Sequence, residues 1–269
     1  MKRALGDASA RLAAISDTPR LDVELLMAHA LGLERGAMLL DLSRHNLPSN
    51  FAALVERRAR HEPIAYILGT RDFWTIRLGV GPGVLIPRPD SETLIEAAIA
   101  HFGEAGPATI LDLGTGPGTL LLAALDQWPN ARGVGVDKSE GALGYARANA
   151  ANLGMAARAT FMRGGWEDGG DADLILCNPP YIAVDEVLDS QVAGFEPHEA
   201  LFAGSDGLED YHIILPTLAR RISEGGVAII EIGASQSEAV TALAKAAGLS
   251  VSVRNDLGGR SRALICVPD

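Results

Sequence analysis

Apolar side chains recur at helical spacing up to about residue 61 of the chain. Leu21, Leu25 and Leu26 follow Pro19, a residue type that often begins a helix, and a second helical stretch reads LPSNFAALVERRARHEP. The next stretch, IAYILGTRDFWTIRLGVGPGVLIP, is rich in β-branched, aromatic and glycine residues, which favours a β-hairpin. We therefore predict a small helical amino-terminal domain over residues 1–75.

The rest of the chain alternates between strand-like and helix-like patterns. Residues 76–106 end in the helix-like RPDSETLIEAAIAHFG and are predicted to be a hairpin and helix linker. From residue 107 the apolar runs ATILDLG, ARGVGVD, ARATFMRG and ADLILC alternate with the helical stretches GTLLLAALDQW and SEGALGYARANAANLG. A helix near 210–223, strand GVAIIEIG, helix SEAVTALAKAAG and strands near 249–254 and 262–267 follow. This alternation predicts an α/β domain over residues 107–269, with a Rossmann-like, mainly parallel sheet covered by helices on both faces.

Composition narrows the class of protein. The chain has 269 residues, 48% of them hydrophobic, which is enough for a sizeable core. Its two cysteines, Cys177 and Cys266, lie in apolar runs, so we expect buried thiols and no disulfide framework or cysteine metal site. No apolar run reaches the length of a membrane span, and Asp7 and Arg11 interrupt the start of the chain, so we expect a cytoplasmic protein without membrane contact.

Charge is distributed unevenly along the chain. The net charge of −11 argues against a protein whose affinity depends on neutralising nucleic-acid phosphates. Residues 1–80 carry 11 Lys and Arg against 9 Asp and Glu, whereas residues 81–269 carry 12 against 25. This difference in charge has two interpretations. Either the two halves have solvated surfaces of different charge, or the first domain binds a partner.

A glycine-rich turn follows the first strand of the α/β region, in LDLGTGPGTL. Gly114, Gly116 and Gly118 lie just before a helix, where glycine lets a ligand approach the backbone and the helix offers free N–H groups. Thr119 stands where a dinucleotide fingerprint has its last glycine, and the G-K-[ST] ending of a phosphate-binding P-loop is missing. Neither of these nucleotide motifs fits the turn.

An acidic residue, Asp137, ends the next strand, 19 residues beyond Gly118. A carboxylate at such a strand end can accept both hydroxyl protons of a ribose, although a helix-capping role is the alternative. The turn and the acid together favour a ligand that contains adenosine and lacks a pyrophosphate. We expect S-adenosylmethionine, with S-adenosylhomocysteine as product and no metal ion.

The strand DADLILC is followed by Asn178, Pro179, Pro180 and Tyr181, at the sheet edge predicted to carry the glycine turn. Methyl transfer to nitrogen needs a lone pair aimed at the methyl carbon, and amide or aromatic amine nitrogens are poor nucleophiles unless acceptors hold their N–H bonds. The side-chain oxygen of Asn178 and the carbonyl of Pro179 can be those acceptors. Prolines fix the backbone and offer no competing N–H.

Two aromatic side chains complete the candidate site. Tyr181 can lie flat against a planar amide or base, and Trp166 in the preceding loop can pack against adenine. The alternative is a proline turn that closes a buried strand, with Tyr181 as an aromatic at its rim.

These residues resemble the PrmC/HemK family of peptide chain release factor glutamine methyltransferases. The resembling segments are EPIAYILG, FW at 73–74, VLIPRP, LDLGTGPG, NPPYI, FEPHEALFAGSDGLEDY and DLGGRSRALI. The sequence NPPY is shared with methyltransferases that act on adenine in DNA, whereas the segments at 84–89 and 195–211 resemble this family in particular.

The resemblance implies a class I S-adenosylmethionine-dependent methyltransferase. Its substrate would be the glutamine of the Gly-Gly-Gln motif in bacterial class-one release factors, methylated on the side-chain amide nitrogen in support of translation termination. Residues 178–181 would hold this glutamine, with Asn178, Pro179 and Tyr181 as catalytic residues. The cofactor contacts implied by position are Gly114, Thr115, Gly116, Pro117, Gly118, Asp137, Trp166 and Asn178.

The chain departs from the family pattern at two positions. Gly165 stands where an acidic residue often precedes the tryptophan, and Asp90 stands where the family often has glutamate. Two other functions stay open at this stage. One is methylation of adenine or guanine in nucleic acid, and the other is a catalytically silent adaptor that binds S-adenosylmethionine and a partner protein.

Overall fold

The computed structural model describes all 269 residues. They form eleven α-helices and nine strands, joined by loops. The helices are α1 (Lys2–Leu12), α2 (Pro19–Leu31), α3 (Arg35–Leu40), α4 (Phe51–Ala59), α5 (Ile64–Leu68), α6 (Glu92–Phe102), α7 (Thr119–Gln127), α8 (Glu140–Asn152), α9 (Ser190–Phe195), α10 (Glu209–Leu218) and α11 (Ser237–Ala246). The strands are β1 (Thr70–Phe73), β2 (Ile76–Gly79), β3 (Thr109–Leu113), β4 (Arg132–Asp137), β5 (Ala159–Arg163), β6 (Ala172–Cys177), β7 (Ile222–Glu231), β8 (Leu249–Asn255) and β9 (Ser261–Pro268). None of the helices combines the length and the apolar character that crossing a membrane requires.

The chain divides into two compact units. The first comprises residues 1–70 and 188–196, and the second comprises residues 71–187 and 197–269. Helices α1 to α5 form the first unit together with α9, which returns to it late in the chain. The division into functional domains at 1–75, 76–106 and 107–269 remains a prediction from the sequence.

The helical unit buries an apolar core and a few paired charges. Leu5, Leu26 and Met38 are fully buried in this core. The Arg58 guanidinium is buried as well, and it donates to Asp22 Oδ2 at 2.8 Å. A buried charge is costly unless it is paired, so this ion pair ties α4 to α2.

Residues 64–68 form helix α5, although their composition predicted the start of a hairpin. Pro63 precedes the helix and Gly69 ends it with a left-handed φ of 74°, the conformation that glycine adopts without strain. Burial of Ala65, Tyr66 and Ile67 favours the helical turn over the β propensity of the segment. The hairpin itself is confirmed, as a two-stranded sheet of β1 and β2.

The second unit contains a seven-stranded sheet with the order β5-β4-β3-β6-β7-β9-β8. Strands β3 to β7 pair in parallel, and β9 runs antiparallel to β7 and to β8, which confirms the predicted mainly parallel sheet. Helix α10 ends at Leu218, earlier than predicted, because β7 begins at Ile222. Both cysteines are buried free thiols, as expected.

Helices cover both faces of this sheet. Alternate strand residues such as Ile110 and Leu174 pack with α6 and α7 on one face. Their neighbours Leu111 and Ile175 pack with α10 and α11 on the other face. Because successive residues of a strand point to opposite faces, each apolar run supplies both cores.

The parallel register aligns the carboxyl ends of four strands. Leu113 lies beside Val136 of β4 and beside Cys177 of β6, and Cys177 lies beside Ile230 of β7. The strand order reverses between β3 and β6, and open α/β sheets bind ligands outside the strand ends at such a reversal. The residues that follow these four positions therefore meet at one edge.

Helix α7 packs so closely on β4 that Gly133 has no room for a side chain. A Cβ added to Gly133 would overlap the Leu121 side chain and lie 3.2 Å from the Ile110 carbonyl oxygen. We predict that Gly133→Ala lowers the free energy of unfolding by about 1–3 kcal/mol, since overpacking displaces the helix.

Gly144 in α8 is the matched control, because a Cβ there meets nothing within 4 Å. Gly144→Ala should raise the free energy of unfolding by about 0.4–1 kcal/mol, since alanine restricts the unfolded chain. Urea denaturation of both variants measures the two effects. Equal changes in the two variants would contradict the close packing at Gly133.

Candidate active site

The aligned strand ends open into a cavity of about 120 Å³, called here the main cavity. Several predicted site residues line it, namely Gly114, Gly116, Asp137, Trp166, Asn178 and Pro180. A second cavity of about 40 Å³, the side cavity, shares Gly114, Gly116 and Asn178 and adds Thr115 and Pro117. Gly118, Pro179 and Tyr181 line neither cavity, but each adjoins a residue that does, so the fold brings most of the predicted residues together.

The glycine turn, residues 114–118, needs its glycines for their backbone conformation. Gly114, Gly116 and Gly118 have left-handed φ values of 68°, 56° and 86°. A Cβ on Gly114 would also lie 3.0 Å from the Trp166 ring, so a side chain there would push the ring away. The turn thus brings backbone close to the cavity and starts α7 at Thr119.

A buried carboxyl group, Asp112, holds the turn from below. Its Oδ2 accepts hydrogen bonds from the Thr115 hydroxyl at 2.6 Å and from the Leu121 N–H at 3.1 Å. Burial raises the pKa of Asp112 to about 7, although both hydrogen bonds favour the ionised form. The negative charge of Asp137 adds to the rise in this pKa.

Backbone hydrogen bonds fix the Asp137 carboxylate. Its Oδ2 accepts from the Gly116 N–H and its Oδ1 from the Ser139 N–H, both at 2.8 Å. The cap of α8 is Ser139, whose hydroxyl oxygen accepts from Ala142 N–H. Two carboxylate oxygens offer about four acceptor positions, so Asp137 keeps capacity for ribose hydroxyl groups in the main cavity.

The Trp166 ring is held in one orientation. Its Nε1 donates to Asp210 Oδ1 at 2.8 Å, and Arg221 Nη1 donates to its carbonyl oxygen at 2.7 Å. Neighbouring Gly165 also lines the main cavity, and a Cβ added there meets nothing within 4 Å. The position therefore has room for the acidic side chain that the family often carries.

The NPPY segment, residues 178–181, rests on polar side chains from distant parts of the chain. Asn178 Nδ2 donates to Ser91 Oγ at 3.3 Å, and the Tyr181 hydroxyl donates to Glu231 Oε1 at 3.2 Å. Burial and the nearby Glu231 charge raise the pKa of Tyr181, so the phenol stays protonated. Its ring packs against the core on one face of the sheet.

Sequence alone did not single out the residues under the segment, which are Ser91, Glu231 and Arg262. Glu231 is only 1% exposed, and burial raises its pKa, while its hydrogen bond from Ser91 and the Arg262 charge oppose the rise. Arg262 Nη2 donates to Asp90 Oδ2 at 3.1 Å, which gives the shorter acid at that position a partner. The sequence contained one signal for this cluster, which is the charged residue Glu231 at the end of the apolar run GVAIIE.

Two family models match the chain. The model for the PrmC N-terminal domain matches residues 3–69, and the model for a methyltransferase domain matches residues 106–245. Similar proteins include the release factor glutamine methyltransferase of Caulobacter vibrioides, 40% identical over 260 residues, which cover 93% of this chain and 90% of that protein. The protein of that name from Cereibacter sphaeroides is 42% identical over 268 residues, covering 96% and 95%. The chain belongs to the release factor glutamine methyltransferase family.

Solved structures confirm the fold of this family member. A methyltransferase from Pyrococcus furiosus superposes with a TM-score of 0.54 at 18% identity, covering 78% of this chain and 97% of that one. A ribosomal protein L11 methylase from Lactobacillus delbrueckii gives a TM-score of 0.51 at 20% identity, covering 70% and 82%. The predicted class I methyltransferase fold is therefore correct, and such a domain implies S-adenosylmethionine as methyl donor. No group of three or more His, Cys, Asp or Glu side chains is arranged to hold a metal ion.

Titration of Asp112 should make the stability of the protein depend on pH. Between about pH 4 and pH 7 the folded protein keeps a proton on Asp112 that the unfolded chain has released. The contribution of this group to stability therefore falls as the pH rises through that window, and it levels off above it. In Asp112→Asn this decline should be absent.

Urea denaturation of the wild type and of Asp112→Asn at several pH values measures the effect. Other carboxyl groups titrate in both proteins, so the difference between them isolates Asp112. Parallel pH profiles for the two proteins would show that the pKa of Asp112 is not raised.

Proposed function

We propose that this protein methylates the side-chain amide nitrogen of the glutamine in the Gly-Gly-Gln motif of bacterial class-one release factors, and thereby supports translation termination. The observation that carries this proposal is the match, at about 40% identity and over nearly the full length, to proteins named release factor glutamine methyltransferase. An adaptor without activity would have no use for an amide side chain such as that of Asn178 in the cavity wall.

S-adenosylmethionine, when bound, supplies an electrophilic methyl group on its sulfonium sulfur. We assign its adenosine part to the main cavity, where Asp137 accepts from the ribose hydroxyls and Trp166 packs against the adenine ring. The backbone of the glycine turn, residues 114–118, lies against the rest of the ligand. The left-handed glycines and the fixed Asp137 carboxylate of this chain fit such a ligand.

Asn178 and Pro179 are assigned to the substrate amide. The Asn178 Oδ1 and the Pro179 carbonyl oxygen accept hydrogen bonds from the two N–H groups of this amide. These hydrogen bonds favour a pyramidal nitrogen, which attack on the methyl carbon requires. Pro180 and Tyr181 shape the site behind these acceptors. The methylated amide nitrogen is strongly acidic and releases its proton to solvent, so no side chain is assigned as a general base.

The helical unit is assigned to recognition of the release factor outside the Gly-Gly-Gln loop. It matches the PrmC N-terminal domain, contains no catalytic motif, and belongs to the less acidic part of the chain. The acidic second unit should repel nucleic acid, so we assign neither direct nucleic-acid contact nor a membrane partner.

The substrate assignment is tested by incubating the enzyme with S-adenosylmethionine and purified release factor, followed by peptide mass spectrometry. We expect a single added methyl group on the glutamine of the Gly-Gly-Gln loop, and no product when that glutamine is replaced. DNA and RNA at moderate salt are the parallel substrates. Their methylation with release factor left unmodified would move the substrate from protein to nucleic acid.

Asn178→Ala removes one acceptor of the substrate amide. Turnover should fall roughly 100-fold or more, the scale for losing a hydrogen bond made in the transition state, while cofactor affinity falls less. Steady-state kinetics and calorimetry measure the two quantities. Turnover within a few-fold of wild type would remove Asn178 from catalysis.

Asp137→Ala is the contrasting variant, because it leaves ribose hydroxyl groups without their acceptor. Cofactor binding should weaken by about 1–3 kcal/mol in calorimetry. Unchanged binding would exclude Asp137 from the cofactor site and leave the assignment of Asn178 standing.

A further inference from the structure

Glu231 is a buried carboxylate with no part in the contacts assigned above. It is the last residue of β7, one position beyond Ile230, which pairs with Cys177, so it lies level with Asn178. Its Oε1 accepts from the Tyr181 hydroxyl, the Ser91 side chain hydrogen-bonds to its carboxyl group, and its Oε2 has no hydrogen-bond partner. Because burying a carboxylate is costly, an apolar residue at this position would give a more stable sheet.

The surroundings of Glu231 hold it in place. The Tyr211 hydroxyl donates to its backbone carbonyl at 2.9 Å, and the Arg262 guanidinium lies 4.0 Å from Oε1. Arg262 is itself paired with Asp90 at 3.1 Å and with Asp256 at 3.4 Å. The carboxyl group therefore has little freedom to move or to exchange partners.

Hydrogen bonds link Asn178 through Ser91 to Glu231, and the donor and acceptor of each are fixed. The hydrogen bond from Ser91 opposes the rise that burial causes in the pKa of Glu231, so Ser91 donates its one hydroxyl proton to the carboxyl group. Only lone pairs of Ser91 Oγ then remain, and Asn178 must present its amide nitrogen to them. It does so, with Nδ2 donating to Oγ at 3.3 Å. The oxygen end of the same amide is left for a substrate.

We propose that Ser91 and Glu231 are positioning residues that hold the Asn178 amide in the one orientation in which its oxygen can accept from the substrate amide. This inference rests on the catalytic role proposed for Asn178. Without the hydrogen bonds through Ser91, the Asn178 side-chain amide would flip easily, since its oxygen and nitrogen ends have nearly the same shape. A flipped Asn178 would present a donor to the substrate N–H and block productive binding.

Ser91→Ala removes the hydroxyl group that links Asn178 to Glu231. We expect kcat on release factor to fall about 10- to 100-fold, as for loss of a group that orients a directly contacting residue, with the cofactor Kd within about two-fold of wild type. Ser91→Thr keeps a hydroxyl group and should recover most of the lost turnover. Glu231→Gln can donate to Ser91, so it should lower kcat in the same way as Ser91→Ala.

Thr93→Ala is the matched control. Thr93 is a buried hydroxyl residue two positions along the chain, at 5% exposed, and it makes no hydrogen bond to Asn178. Its loss should leave kcat within about two-fold of wild type, whereas a general sensitivity of this segment would lower kcat in both alanine variants. Thermal unfolding of each variant confirms that it is folded.

The deciding measurement is a double-mutant cycle with Asn178→Ala. If Ser91 acts through Asn178, adding Ser91→Ala to Asn178→Ala should lower kcat no further. Additive losses, or full activity of both Ser91→Ala and Glu231→Gln beside an inactive Asn178→Ala, would overturn the positioning role alone. Full activity of Asn178→Ala would overturn that role and the proposed catalytic site together.

Discussion

The parallel register of β4, β3, β6 and β7 is the constraint on which the site depends. It sets Val136, Leu113, Cys177 and Ile230 at one level, so that the next residue of each strand reaches the same edge. A slip of one residue in any pair would turn the following side chain to the opposite face of the sheet. Burial of both faces prevents such a slip, because it would also exchange side chains between the two packed cores.

Each side chain assigned to a ligand is anchored on its far side. Asp137 is held by two backbone N–H groups, Trp166 by Asp210, and Asn178 by Ser91. All of these hydrogen bonds are made within the chain, so folding itself orders the side chains. Preorganisation of this kind lowers the barrier of a reaction whose nucleophile is a weak amide nitrogen.

The parts of the site that were predictable from sequence are those in which short segments carry the information. Alternation of apolar and polar residues predicted the sheet, and the glycine turn, Asp137 and NPPY each lie at the end of a strand. Ser91 and Glu231 could not be assigned in this way, because they reach Asn178 only through tertiary contacts from distant segments. Helix α5 was missed for another reason, since its composition favours strand while its capping residues and burial favour helix.

The late return of the chain to the helical unit affects the order in which the protein can be completed. Helices α1 to α5 are synthesised first, but residues 188–196, with Gln191 accepting from Arg58 Nη1 at 3.3 Å, follow only after β3 to β6. A growing chain therefore carries an amino-terminal unit that lacks one helix while most of the parallel sheet is being made. Closing this long loop costs entropy before the contact is gained. The first part of the protein to leave the ribosome therefore has to wait for residues 188–196 before it can be complete.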